Sequence, residues 1–250
     1  MRFIADGWSV KEIHRLIVLS ATYQQSSASA ECGVRSAESK DIPHSALRIP
    51  HSEDPDNKFL WRFPLRRLEA EEIRDSLLAV SGRLDRTAGG PSITHVKNRE
   101  FFFDHTSKDG TKYDSRRRSL YLPVVRNNLY DVFQLFDTTD ATVSKGDRAT
   151  TTVATQALFY LNSDLVADSA GDLAKQLSAE MDDRSKVNRL YRIAYSRPAS
   201  DREVDRALNA VAGFESELAD REPDAAKRRA RAWSLVCQAV MAANEFVYVE

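Results

Sequence analysis

Three groups of side chains in this 250-residue chain have the types and spacing to do chemistry. In the first, Arg66, Arg67 and Arg74 interleave with Glu69, Glu71, Glu72 and Asp75. Arginines and carboxylates so placed can form bidentate pairs that lock a helix to its neighbour, and an arginine left over can grip a carboxylate or sulfate. Arg67 and Glu71 have the i, i+4 spacing of a helical ion pair. In the second group, Arg116-Arg117-Arg118 and Arg126-Asn127-Asn128 flank a short apolar stretch. With Arg74, the side chains of Arg118, Arg126 and Asn127 could frame an anion-binding cleft. Histidine is the side chain whose ordinary pKa, about 6.5, suits proton transfer near neutrality, and His14 is the candidate catalytic acid or base if its helix packs nearby. The third group, Asp104, His105, Asp109 and Asp114, does not have the spacing of a calcium loop, and no H-E-x-x-H occurs. His44, His51 and His95 are scattered through loop-like sequence, so no metal site is expected.

Each group also has a purely structural reading, and the structural reading is favoured. Interleaved charges on a helix are usually solvated or paired with one another. The arginines around 116–126 could cap carbonyls, and His14 could hydrogen-bond within a helix interface. Lys227-Arg228-Arg229-Ala230-Arg231, the most basic run, shares its stretch with Trp233, Val236 and Val240 and reads as a solvated face. No G-x-S-x-G, G-x-G-x-x-G or P-loop pattern is present, which disfavours the commonest hydrolases and nucleotide binders.

The elements that must carry these residues are mostly helical. Ile73, Leu77, Val80 and Leu84 repeat at the helical period behind Trp61-Arg62-Phe63-Pro64, and Gly82 stands where a left-handed cap is needed. Ser9-Val10-Lys11-Glu12 is a capping box opening a helix with Ile13, Leu16 and Ile17, apolar enough to be expected at the centre of the fold. Residues 28–57 are rich in Ser, Glu, Asp and Pro and read as a long surface loop. Within 98–126, Glu100–Asp104 and Ser119–Val125 suit two short strands around the Asp109-Gly110 turn, a small β-hairpin in the middle of the chain. A short helix is expected over 128–136, with Leu129, Val132, Phe133 and Phe136 on one face. From Thr151 to Glu250 helices follow one another: 153–161, 164–177, 186–195, one opened by the capping box Ser200-Asp201-Arg202-Glu203, and one begun by Pro223-Asp224. The expected fold is mainly α: a multi-helix globular domain spanning 1–250 with one small hairpin.

The 36 basic and 37 acidic side chains leave a net charge of -1, so a nucleic-acid binder, which needs a basic excess, is not expected. No apolar run approaches the ~18 residues of a membrane span, and the first residues lack a secretory signal pattern. Met1-Arg2-Phe3-Ile4-Ala5 reads like the tail of an earlier element, so apolar surface around Phe3, Ile4 and Trp8 is expected to meet a preceding domain. Cys32 and Cys237 belong to no C-x-x-C or C-x-x-C-H arrangement, so haem attachment within the chain is not supported. Whether they pair is open, though Cys237 sits in an apolar helical pattern and reads as a small buried hydrophobe.

Several ordered stretches carry a family resemblance: Gly7-Trp8-Ser9-Val10-Lys11, His14-Arg15-Leu16-Ile17, Ser20-Ala21-Thr22-Tyr23-Gln24-Gln25 and Asp54-Pro55-Asp56-Asn57. Arg66-Arg67-Leu68-Glu69-Ala70-Glu71, Arg117–Asn127, Thr151–Leu158 and Asn244–Val249 continue it. Together they resemble the C-terminal domain of unknown function of large planctomycete cytochrome-C-domain-containing proteins. The resemblance implies a secreted or cell-surface parent in which a signal, a haem-binding domain and a second uncharacterised domain precede this one. Any haem would then lie in those upstream domains, which would also be this chain's partners. Two departures are visible: the segment from Ala28 to Glu53 is longer than the expected link, and Ala154 stands where a proline is common. The resemblance supplies no catalytic residues. The leading expectation is therefore a non-catalytic helical accessory or interaction domain. The rival is an enzyme domain that acts on an anionic small molecule or glycan-like substrate through an arginine-lined cleft.

Overall fold

Helix caps set most element boundaries in the computed structural model, which describes residues 2–24, 57–59, 62–90, 113–125, 128–139, 143–144, 146 and 148–249. The chain divides into two compact units, Met1–Arg66 with Tyr248–Glu250, and Arg67–Val247. Among the described residues the fold is mainly α: ten α-helices, and one small sheet in which β1 (Arg66–Arg67) pairs with β2 (Tyr248–Val249).

In the smaller unit, α1 (Arg2–Ala5) is followed by a left-handed turn at Gly7 and Trp8. The Oγ of Ser9 then accepts from the Glu12 amide and starts α2 (Val10–Val18), as its capping-box sequence predicts. α2 differs from expectation in one respect: none of its residues is buried, and Leu16, Ile17 and Val18 are exposed. Its partners among the described residues of this unit are α1 and the loop carrying Tyr23, whose ring meets Phe63 edge-on. So small a set cannot enclose an apolar face.

The larger unit begins with α3 (Ala70–Val80), which opens three residues later than Arg67 because Glu69 is its N-cap. The side chain of Glu72 accepts from the Glu69 amide at 2.8 Å, completing a capping box. At the other end Gly82 takes φ +70°, and the amides of Gly82 and Arg83 satisfy the carbonyls of Ala79 and Leu78. The buried face of α3 carries Ala70, Ile73, Leu77 and Leu78, with Arg74 among them. A 3-10 turn, Ser119–Tyr121, occupies the position where alternation suggested a strand. Pro123 supplies no amide for a ladder, and residues 122–125 form no strand with the described residues. The proposed partner strand, 100–104, and residues 28–56 of the expected surface loop lie outside the described residues.

After the short α4 (Asp131–Leu135), the chain runs through α5 (Ala154–Asn162), α6 (Asp164–Leu177), α7 (Asp183–Tyr195), α8 (Asp201–Glu217), α9 (Ala225–Met241) and α10 (Asn244–Val247). Side-chain oxygens of Ser163, Asp182 and Asp224 accept from the first amides of α6, α7 and α9, and Ser200 with Glu203 forms the predicted box of α8. α6 and α9 form the most extensive helix pair, and α8 packs on α9 from another side. Their seam contains Val166, Ala170, Leu173 and Leu177 against Trp233, Val236, Cys237 and Met241. Each large apolar side chain buried here contributes about 1.5–3 kcal/mol. Truncating Leu173 to Ala at this centre would cost about 2–5 kcal/mol. No helix among the described residues is long and apolar enough to cross a membrane.

Candidate functional site

α3 presents two sides to the chain around it. Its buried side holds three elements together through arginines that serve as backbone caps. Arg74, 2% exposed, donates from Nη1 to Arg117 O at 2.9 Å and to Ser119 Oγ at 3.3 Å, and from Nη2 to Ser115 O. The adjacent Asp75 accepts from the Ser119 amide at 2.8 and 3.0 Å and from its hydroxyl at 2.7 Å. Besides one isolated backbone bridge between Arg117 and Asp85, this loop is thereby tied down through its carbonyls and one amide. Arg117, also buried, donates through Nη2 to Thr87 O and Gly89 O, and its guanidinium lies 4.2 Å from the centre of the Tyr121 ring.

Arg67 repeats the device at the start of the unit. It donates to Asp137 Oδ2 at 2.7 Å, to Gln156 Oε1 at 3.0 Å and to Thr151 O. The i, i+4 pair with Glu71 is therefore not made, since Arg67 precedes the helix and points to a different segment. Asp137 takes a left-handed φ of +61° and also accepts from Thr151 N and Oγ1. Burial pushes its carboxyl up, but the Thr151 amide and the Arg67 guanidinium outweigh that and hold it below the usual carboxylate value.

The outer side of α3 lines a cleft with a volume of about 840 Å³. Glu71, Glu72 and Asp75 contribute its acidic wall, Leu84, Leu122, Leu129 and Phe133 its apolar floor, and Tyr113 and Tyr130 its aromatic side. Arg118, exposed and without an ion pair among the described residues, is the one arginine in the lining. Arg74 stands behind the wall, with its guanidinium 5.8 Å from the centre of the Tyr130 ring. Burial raises the pKa of the Tyr130 hydroxyl, and the Arg74 charge acts in the opposite sense.

The carboxylates of the cleft already have structural work. Glu71 makes a bidentate pair with Arg148, at 2.7 and 3.0 Å. Burial pushes the Glu71 carboxyl up, but Arg148, with help from the Thr138 hydroxyl, brings it below its ordinary value. Glu72 caps the helix, and Asp75 holds Ser119.

Of the candidates named from sequence, Arg74 and Arg118 are thus brought to the two faces of one loop, residues 115–119. Arg126 and Asn127 lie outside the described residues. His14 is exposed on α2, in the smaller unit. No group of three or more His, Cys, Asp or Glu that could hold a metal occurs among the described residues. Sequence reading passed over Arg148, Asp137 and Tyr130. Arg148 stands 77 residues from the glutamate it grips, and the only local signal for Asp137 was its tolerance of a left-handed backbone. Comparison with known proteins finds that residues 1–211 match the PSD1 family, described as protein of unknown function (DUF1553). No curated protein and no solved structure matches the chain.

Proposed function

Since the chain belongs to the PSD1 family, we propose that it acts as a non-catalytic helical accessory module of a cytochrome-associated surface protein, docking a neighbouring domain of that protein through the α3 cleft. The observation that carries this reading is the commitment of every carboxylate in the cleft. A general acid or base must be free to exchange a proton with substrate at a pKa matched to its task. Glu71 is instead gripped by Arg148 and shifted away from neutrality, Glu72 caps α3, and Asp75 accepts three hydrogen bonds from Ser119. Apolar side chains at the cleft favour protein docking: Leu120 is 75% exposed and Val124 63%. The family resemblance adds the parent architecture, with haem confined to upstream domains and the protein outside the cytoplasm.

A second reading rests on Arg118, which has no ion pair among the described residues and lines the cleft with Tyr113 and Tyr130. An anionic or glycan-like substrate could lie against these rings with its acid on Arg118. The two readings separate in one experiment. The purified chain is incubated with a panel of sulfated and carboxylated oligosaccharides, followed by product analysis and by binding measurements on wild type and Arg118→Ala. The docking reading expects no turnover and no loss on substitution. Turnover abolished by Arg118→Ala would replace it with the enzyme reading.

A further inference from the structure

A second opening, of about 570 Å³, is lined by α6, α7 and the N-terminal half of α9 and has a different chemistry. Gly171 and Ala174 of α6 and Ala226 and Ala230 of α9 leave space between the helices, and Trp233 adds an aromatic face. That volume is within the range of sites that enclose small organic molecules. The charged residues of the lining are Lys175, Lys186, Arg229 and Arg231, and no acid is among them.

Most of these cations have carboxylate partners outside the lining. Lys175 pairs with Asp172 at 2.8 Å, Lys186 with Asp183 at 2.9 Å, and Arg229 with Glu215 at 2.9 Å and with Asp183. Arg231 has no ion pair among the described residues. Three of the four lining cations are thus committed to carboxylates, with Lys175 sharing Asp172 with Arg83, and Arg231 stands beside an apolar slot. Lys186 also lies over the Trp233 ring, with Nζ 5.4 Å from its centre, so the aromatic face is already electrostatically committed to a cation. A cationic ligand would meet Arg231 and the Lys186 ammonium that already occupies the ring face. A neutral one would leave the Arg231 guanidinium unused.

We propose that this groove binds a small amphipathic monoanion, a carboxylate with an aliphatic or aromatic body, at a site separate from the α3 cleft. The body lies against Ala174, Ala226, Ala230 and Trp233, and the carboxylate pairs with Arg231. Burial of the apolar body supplies affinity, while the guanidinium sets the sign of the head group. Isothermal titration of the whole chain with sodium octanoate tests this, with acetate and octanol as probes of charge alone and of body alone. The expected result is saturable one-to-one binding of octanoate, with acetate and octanol each at least about tenfold weaker. Arg231→Glu should weaken octanoate at least about tenfold, and Ala230→Leu, which fills the groove from an exposed helical position, should do likewise. If Arg231→Glu alters the far-UV circular dichroism, Arg231→Gln takes its place and should weaken binding at least about threefold. Absence of saturable octanoate binding, equal affinity for acetate, or undiminished binding by the folded Arg231 variant would each overturn the proposal.

Discussion

Replacing Arg74 by methionine should cost about 3–5 kcal/mol of stability, although interleaved charges such as those around it are usually solvated or paired with one another. Methionine keeps the aliphatic volume but removes donors to Ser115 O, Arg117 O and Ser119 Oγ and the charge beside Asp75. Each carbonyl left without a partner costs about 1–3 kcal/mol, so the two together account for about 2–6 kcal/mol. Asp75 keeps three bonds from Ser119, which limits the additional penalty of its unpaired charge. Removing one member of a buried charged pair typically costs about 3–5 kcal/mol, in the same range. Arg118, exposed and without an ion pair among the described residues, is the matched control and should lie within about 0.5 kcal/mol of wild type as Arg118→Met. Urea denaturation followed by circular dichroism measures both. A cost below about 1 kcal/mol for Arg74→Met, or one no larger than for Arg118→Met, would refute the role of Arg74 as the anchor of the 115–119 loop.

Three further outcomes follow from the same geometry. Arg197 clamps Glu203 and Glu245 where α7, α8 and α10 meet, and its hydrogen bonds hold the Glu203 carboxyl at about 2 against an ordinary 4.5. At about 1.4 kcal/mol per pH unit that corresponds to at most about 3.4 kcal/mol, reduced by solvent screening of the 39%-exposed Arg197 to about 1–2 kcal/mol. Because the folded value is depressed, this contribution is present above pH 4.5 and disappears as pH falls towards 2. Glu203→Gln should therefore destabilise at pH 7 and converge with wild type near pH 2; a gap independent of pH would contradict the clamp. Burial pushes the Cys237 thiol up to about 12, so in a Cys32→Ser background a thiol reagent should label it at the global unfolding rate, and rapid labelling of native protein would be inconsistent with its position. Asp137→Ala loses acceptors for Arg67 and Thr151 in a left-handed backbone and should cost about 2–4 kcal/mol, whereas Asp137→Asn should cost less than half as much; equal costs by urea denaturation would exclude the backbone contribution.

Local signals explain why the helical half was legible. Ser200 with Glu203, Asp224 behind Pro223, and the period of Val204, Ala207 and Val211 are all readable within one or two turns. α7 begins at Asp183, three residues before the apolar period implied, because Asp182 caps it through the Ser185 amide. The cleft was less legible because its ties are long-range. Arg74 and Ser115 are 41 residues apart, Arg67 and Gln156 are 89 apart, and charge interleaving along one helix does not reveal which arginine turns inward. Apolar content alone also failed to place α2, whose hydrophobic face has too few partners within its unit to be enclosed. The 3-10 turn at Ser119–Tyr121 shows the same limit: its residues have strand propensity, but Asp75 and Arg74 satisfy the loop's polar groups in place of a neighbouring strand.

The docking account is tested most directly by calorimetric titration of this chain with a separately expressed neighbouring domain of the parent protein that the proposal calls for, using wild type and the double variant Leu120→Asp/Val124→Asp. Both side chains are exposed at the cleft, so the variant should retain its fold while placing two charges in the interface. The account predicts saturable binding by wild type and a loss of at least about 100-fold in the variant, with no change in urea midpoint. Equal binding by the two proteins, or no binding by folded wild type, would contradict it.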